Sequence, residues 1–272
     1  MHSGHFTAAD GTRLAYEVAG TGLPVLWQHG LCADRGQPAE VFPGHAGRSR
    51  ITMECRGHGL SELGDPARIG IRQFADDAIA LLDHLGIARA VVGGISLGAA
   101  IAMHIAARHP ARTSALILAR PAWLAAPAPP RLRIYAEVAA RLAAHDAHTA
   151  RGFIDAMPVM AEIAAVSPDN IASLHAMLER PDPVSTIALL SRIPLDGPGL
   201  ALTDIRAIAA KTLVIGTQQD WMHPFEYART LAAEIPDARL AQITAKTVSR
   251  PAHVAGFRDA MDSFLAGCGV RP

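Results

Sequence analysis

The segment Gly94-Ile95-Ser96-Leu97-Gly98 constrains the fold most strongly, because it lies between two apolar runs of different character. Residues 88–92 end in β-branched side chains and predict a buried strand, whereas residues 97–109 are alanine-rich and predict a helix. Small residues around Ser96 permit a tight strand-to-helix turn, which holds the hydroxyl above a sheet and at a helix N-terminus. We therefore predict that Ser96 is a nucleophile, and not only a helix cap.

Strands and helices alternate along most of the sequence. An Asp10-Gly11 turn predicts an N-terminal hairpin. The alternation predicts a mostly parallel sheet covered by helices on both faces. The predicted strands are residues 12–18, 24–28, 51–54, 88–92, 114–118, 212–215 and 239–244, and the predicted helices are residues 74–85, 97–109, 224–235 and 254–265.

This alternation stops between residues 121 and 203. The segment is rich in alanine and proline, is helical in pattern and contains no run typical of a buried strand. We therefore predict three parts: residues 1–120 form the first part of an α/β core, residues 121–203 form a helical lid, and residues 204–272 complete the core.

The composition narrows the possible partners. Lys and Arg together number 25, as do Asp and Glu, so no excess positive charge favours nucleic acid. The first residues lack the pattern of a signal peptide, and glycines interrupt the most apolar stretch, residues 90–107. Cys32, Cys55 and Cys268 form no metal-binding cluster and cannot all pair, which favours a reducing, cytoplasmic setting. We expect a small-molecule substrate, no cofactor or metal, no membrane partner, and a monomer or homodimer.

The order of motifs resembles that of the α/β-hydrolase superfamily, in its branch of lid-bearing esterases, lactonases and C–C hydrolases. The motifs are His29-Gly30, Arg-Gly-His-Gly at residues 56–59, the Ser96 segment, a helical insertion, a strand followed by Asp220, and a late histidine. The resemblance covers residues 12–265. It implies the α/β-hydrolase fold and a hydrolase, most often of carboxylic esters, that acts on a small or medium ester, lactone or related carbonyl compound.

The resemblance also implies a Ser-His-Asp triad. Asp220 follows a predicted strand and would orient an imidazole, although it could instead cap the helix after Pro224. The expected base is His253, which follows the last predicted strand. Its surroundings depart from the family pattern, because Ala252 replaces the usual glycine, so His223 is the second candidate.

The remaining site predictions concern the loop after the strand at residues 24–28. Gly30 would let the backbone approach the reacting carbonyl, and the amides of Leu31 and Leu97 would form the oxyanion hole. Arg56 and Ser61 are predicted to tie down a structural turn in which Glu54 stands where the family has Asp. Cys32 is either a pocket residue or a small buried apolar side chain. The expected pocket residues are His29, Gly30, Cys32, Trp123 and Trp221.

Two other functions are compatible with this fold. A lyase or a cofactor-free oxygenase would use the His-Asp pair without acyl transfer. A non-catalytic ligand binder would use neither the His-Asp pair nor acyl transfer. Serine at position 96 argues against dehalogenase and epoxide hydrolase chemistry, for which the superfamily uses Asp as the nucleophile.

Overall fold

The computed structural model describes residues 1–268. Its centre is an eight-stranded sheet in the order β1-β2-β4-β3-β5-β6-β7-β8, in which β1–β2 and β2–β4 are antiparallel and the other neighbours are parallel. The predicted hairpin and the mostly parallel sheet are thereby confirmed. The strands are β1 His2–Thr7, β2 Arg13–Ala19, β3 Thr21–Gln28, β4 Ala46–Met53, β5 Ala90–Ile95, β6 Thr113–Ala119, β7 Thr212–Gly216 and β8 Ala238–Gln242.

Helices cover both faces of this sheet, because the parallel strands are apolar on each side. One buried cluster joins the sheet to α2, α3 and α10, and the other joins it to α1 and α11. The helices are α1 Gly36–Val41, α2 Ile71–His84, α3 Leu97–Arg108, α4 Arg133–Ala144, α5 Ala147–Asp155, α6 Pro158–Val166, α7 Pro168–Leu178, α8 Pro183–Arg192, α9 Leu202–Arg206, α10 Phe225–Glu234 and α11 Arg250–Gly267.

The segment between β6 and β7 contains helices α4–α9 and no strand among its described residues. Pro158, Pro168 and Pro183 are the first residues of their helices, where a missing amide hydrogen costs no helical hydrogen bond. These prolines therefore start helices, whereas their spacing in the sequence suggests only interruptions. The exact lid boundaries, residues 121 and 203, remain a prediction.

The last helix begins earlier than the sequence pattern predicts. Ser249 caps α11 by accepting a hydrogen bond from the amide of Ala252, and Pro251 occupies the first turn. The helix therefore includes His253, which precedes the helix predicted at residues 254–265. No helix within residues 1–268 is both long enough and apolar enough to cross a bilayer.

Candidate active site

Ser96 lies in a strained turn between β5 and α3. Its φ of 57° and ψ of −109° lie in a region that non-glycine residues rarely occupy, which is typical of a functional constraint. Gly98 is required for this turn, because a Cβ there would lie 2.4 Å from the carbonyl oxygen of Gln28. The serine is partly exposed at the N-terminus of α3, so its hydroxyl is accessible.

His223 is the histidine that contacts this serine. Its Nε2 lies 2.9 Å from Oγ of Ser96, and its Nδ1 lies 3.0 Å from each carboxylate oxygen of Asp220. A proton on Nδ1 can be donated to the carboxylate, which leaves the Nε2 lone pair free to accept the serine proton. This is the contact pattern of a serine, a base and an orienting acid.

His253 occupies a different position, so the expectation that it contacts Ser96 is corrected. It lies in the first turn of α11, where its Nδ1 donates to the carbonyl oxygen of Thr244 at 2.8 Å and its ring packs edge-on against Phe257. Within the described part of the chain, His253 makes no hydrogen bond to Ser96. The early start of α11 explains the difference, because it directs the imidazole toward the end of β8. Burial lowers the pKa of His253.

Arg120 binds Asp220 from the opposite side. Its Nε donates to Oδ2 at 2.7 Å, and its Nη2 forms an ion pair with the same oxygen at 2.6 Å. Burial alone would raise the pKa of Asp220, but the charges of Arg120 and His223 outweigh it and hold this pKa well below its usual range. Sequence reasoning missed Arg120, although its position at the carboxyl end of β6 was an available signal.

Two buried histidines shape the loop after β3. Nε2 of His29 accepts a hydrogen bond from the amide of Cys55, and Nε2 of His58 accepts one from the amide of Cys32, each at 3.0 Å. Their rings lie 4.7 Å apart, and burial lowers the pKa of both. His29 therefore supports the loop and does not act as a free pocket group.

The amides expected to form the oxyanion hole flank the nucleophile. Leu97 is the first residue of α3, so its N–H has no acceptor within the helix. Leu31 is buried in the loop that the two histidines hold, and among residues 1–268 its N–H has no protein acceptor. A Cβ added to Gly30 would lie 3.5 Å from the carbonyl oxygen of Ile95, which places this loop beside the end of β5.

The other expected pocket residues have different surroundings. The Trp123 indole is buried and donates to the carbonyl oxygen of Asp196 at 2.9 Å, which makes it a structural link. The Trp221 ring lies under the guanidinium of Arg131, at 5.2 Å. Cys32 is partly buried and has a φ of 60°, and burial raises the pKa of its thiol.

Arg180, between α7 and α8, was missed by the sequence analysis. Its Nη2 donates to the carbonyl oxygen of Gly57 at 2.7 Å, and its positive charge counteracts part of the rise that burial causes in the pKa of the Cys32 thiol. Its Nη1 is buried and has no hydrogen-bond partner within residues 1–268. A lone arginine in a helical insertion carries no sequence signal for this placement, because the contact depends on how the insertion packs on the core.

Tyr135 on α4 reaches the same region from the insertion. It is buried, and burial together with the charges of Asp220 and Cys32 raises the pKa of its hydroxyl. The sequence analysis assigned no role to Tyr135, whereas in the structure its hydroxyl interacts electrostatically with the Asp220 carboxylate.

The turn at residues 54–61 is structural, as predicted. Arg56 binds the carboxylates of Asp77 at 2.7 Å and Asp10 at 2.6 Å, and Ser61 Oγ donates to the carbonyl oxygen of Glu54. These contacts connect β2, β4 and α2, so they fix the start of the sheet and not the reacting groups.

Known proteins share this fold. A family model described as the alpha/beta hydrolase fold matches residues 24–245. A 2-hydroxymuconate semialdehyde hydrolase from Pseudomonas putida is 29% identical over 252 residues, which is 85% of this chain and 83% of that protein. A putative carbamate hydrolase from Variovorax paradoxus is 28% identical and covers 84% of this chain and 86% of its own. The crystal structure of an enol-lactonase from Burkholderia xenovorans superposes with a TM-score of 0.75 at 22% identity, over 97% of this chain and 100% of that one.

Proposed function

The chain belongs to the α/β-hydrolase family and is a hydrolase, and we propose that it cleaves an ester, lactone or related carbonyl substrate with Ser96 as its nucleophile. The contact that carries the proposal is the 2.9 Å separation between Ser96 Oγ and Nε2 of His223. We assign His223, not His253, as the general base, and Asp220 as the group that orients it.

The proposed reaction proceeds through an acyl-enzyme. Nε2 of His223 accepts the proton of Ser96 as Oγ forms a bond to the substrate carbonyl carbon. The oxygen of the tetrahedral intermediate takes the negative charge and accepts hydrogen bonds from the Leu31 and Leu97 amides. His223 then delivers its proton to the leaving group as that bond breaks. A water molecule repeats the sequence, releases the acid and restores the serine.

Arg180 supports a narrower substrate class. A buried guanidinium N–H without a partner is costly, and a carboxylate satisfies it best, through charge-assisted hydrogen bonds. This guanidinium acts electrostatically on Cys32, the neighbour in sequence of Leu31, which is one of the two proposed oxyanion donors. We therefore propose that the substrate carries a carboxylate near its scissile carbonyl group. The insertion that supplies Arg180 and Tyr135 acts as the lid of this site.

The names of two relatives agree with such a substrate. The protein from Pseudomonas putida is named for a semialdehyde of hydroxymuconate, and the structure from Burkholderia xenovorans is described as an enol-lactonase. Both names denote carbonyl compounds. We also propose a reducing, cytoplasmic compartment, because Cys32, Cys55 and Cys268 are all free.

A fluorophosphonate probe tests the nucleophile. We expect the probe to label the folded protein on Ser96, as located by peptide mapping, and the Ser96→Ala variant to lose both the label and the hydrolysis of a p-nitrophenyl ester. Ser173→Ala is the matched control, since Ser173 is exposed on α7 and bonds only to the carbonyl oxygen of Asp169 in the described chain. An unlabelled Ser96 in a folded protein that still hydrolyses its ester would exclude the proposal.

A further inference from the structure

We propose that Arg120 is a positioning residue for this reaction, which fixes the Asp220 carboxylate against His223 and places a permanent positive charge beside the imidazole. The inference rests on the proposed function, because it assigns a role relative to the base of that mechanism. Arg120 would extend the triad to four groups in a row: guanidinium, carboxylate, imidazole and hydroxyl.

The two oxygens of Asp220 share the imidazole Nδ1 of His223, which lies 3.0 Å from each, but their other partners differ. Oδ2 receives Nε of Arg120 at 2.7 Å and Nη2 at 2.6 Å. Oδ1 receives the backbone amide of His223 at 3.2 Å, and its imidazole Nδ1 at 3.0 Å. Because the planar guanidinium presents two donors to one oxygen, it restricts rotation of the carboxylate. The carboxylate is then held with both oxygens facing Nδ1 of His223.

Such an anchor matters because the acid and the base share one loop. Residues 217–224, between β7 and α10, have no regular secondary structure, so no strand or helix orients the carboxylate. Arg120, in contrast, directly follows β6, the neighbour of β7, and its own amide donates to the carbonyl oxygen of Ile215 at 2.7 Å. The guanidinium therefore ties the loop to the rigid sheet.

Arg120 also acts electrostatically on the imidazole. Its Nη2 lies 3.2 Å from Nδ1 of His223. Protonation of Nε2 during the reaction places a second positive charge beside the guanidinium, so Arg120 offsets part of the attraction that Asp220 exerts on the imidazolium. Two further titratable groups face this cluster, Tyr135 from α4 and His253 from α11, and both interact with Asp220 and Arg120. Among these groups Arg120 is the permanent cation that contacts the ring.

Two substitutions separate the two effects. Arg120→Met removes both the positive charge and the two donors to Asp220. We therefore expect kcat for a neutral p-nitrophenyl ester to fall about tenfold, which is less than the fall expected when the base itself is replaced. KM should change less than about twofold, and the acid limb of the kcat/KM profile should move to higher pH, because a permanent cation 3.2 Å from the imidazole is removed. In Arg120→Lys the charge remains, so the acid limb should stay near that of the wild type while kcat falls.

Arg206→Met is the matched control. Arg206 is an exposed arginine whose Nε binds the carboxylate of Glu234, so its removal breaks a similar ion pair away from Ser96. We expect kcat and the acid limb of this variant to match those of the wild type. Thermal unfolding of each variant shows whether it is folded at the assay temperature.

Several results would overturn the role of Arg120. A folded Arg120→Met variant with the kcat and acid limb of the wild type contradicts both effects. If that variant does not fold, Arg120→Lys is the variant to measure. A wild-type kcat in Arg120→Lys contradicts positioning by the two guanidinium donors. The labelling rate of Ser96 by the fluorophosphonate separates the two proposals. If the probe labels the wild type and the Arg120 variants at the same rate, only the role of Arg120 is contradicted. If the probe does not label the wild type, the proposed function is contradicted.

Discussion

Asp220 and His223 lie three residues apart on one loop, and Nδ1 of His223 is 3.0 Å from both carboxylate oxygens. The contact between the proposed acid and the proposed base is therefore local, whereas the proposed nucleophile, Ser96, lies 127 positions away from His223 in the chain. Any shift of the loop moves the acid and the base together. Alignment with Ser96 then depends on what holds the loop in place.

The helical insertion contributes to that alignment. The amide of Trp221 donates to Oγ of Ser167, and the amide of Met222 donates to Oδ1 of Asn170, each at 2.9 Å. Ser167 and Asn170 are buried at the start of α7. The proposed lid thus holds the backbone between Asp220 and His223 in place from the side opposite the sheet.

The first prediction distinguishes the two histidines. His223→Asn removes the proposed base, so kcat for a p-nitrophenyl ester should fall by about 10²- to 10⁴-fold. His253→Asn removes a hydrogen bond to the Thr244 carbonyl at the start of α11, so it should lower stability slightly and leave kcat within about threefold of the wild type. Steady-state kinetics on both purified variants measures the difference. If His253→Asn lost far more activity than His223→Asn, His253 and not His223 would be the base.

The fold was predictable from the sequence because its signals are local. The Ser96 turn, the alternation of strands and helices, and the position of Asp220 after β7 each depend on neighbouring residues. The assignment of the base was not predictable to the same degree, because it depends on how one loop packs against α3. A cap at Ser249 and a proline at position 251 placed His253 on a helix, and these two signals were present in the sequence.

The contacts of Arg120 and Arg180 could not be predicted from the sequence. The sequence places Arg120 shortly after a predicted strand, but its hydrogen bond to Asp220 joins residues 100 positions apart. Arg180 bonds to Gly57 across 123 positions, from an insertion whose packing follows no simple periodicity. Long-range polar contacts of this kind require the tertiary structure.

The second prediction concerns the glycine of the serine turn. Gly98→Ala places a Cβ within 2.4 Å of the Gln28 carbonyl oxygen, so β3 and α3 must separate. We expect a loss of about 1–3 kcal/mol in the free energy of unfolding, together with a large loss of Ser96 labelling. Gly152→Ala is the control, because a Cβ there meets nothing within 4 Å and the position lies inside α5. That variant should be about 0.5–1 kcal/mol more stable. Unimpaired labelling of Gly98→Ala would show that the turn tolerates a wider separation.

The third prediction tests the substrate carboxylate. Arg180→Met removes the buried guanidinium, so kcat/KM for a p-nitrophenyl hemiester of a dicarboxylic acid should fall about 10- to 100-fold, as expected for a charged hydrogen bond. Hydrolysis of a neutral p-nitrophenyl ester should change less than about twofold. Arg192→Met serves as control, since Arg192 also donates to a backbone carbonyl, that of Ala67, but is exposed. Equal losses on both esters would argue against recognition of a carboxylate by Arg180.

The last prediction is a dependence of stability on pH that arises from the buried histidines. Burial lowers the pKa of His58, and that of His29 beside it, so both are neutral in the folded chain. Below about pH 6.5 the unfolded chain binds protons that the folded chain does not, so stability falls as the pH falls. Each such histidine contributes up to about 1.4 kcal/mol per pH unit. Asp10 and Asp220, which are two of the carboxyl groups with lowered pKa, add a loss of stability only below about pH 4.

Urea unfolding at several values between pH 5 and pH 7.5 isolates the histidine contribution. His58→Gln keeps an acceptor for the Cys32 amide but does not titrate, so the slope of unfolding free energy against pH should become smaller by up to about 1.4 kcal/mol per unit. His148→Gln is the control, because His148 is exposed and hydrated in both states. Its slope should equal that of the wild type. The same slope in all three proteins would mean that His58 binds a proton as readily in the folded chain as in the unfolded chain. The loop that contains Cys32 would then open readily.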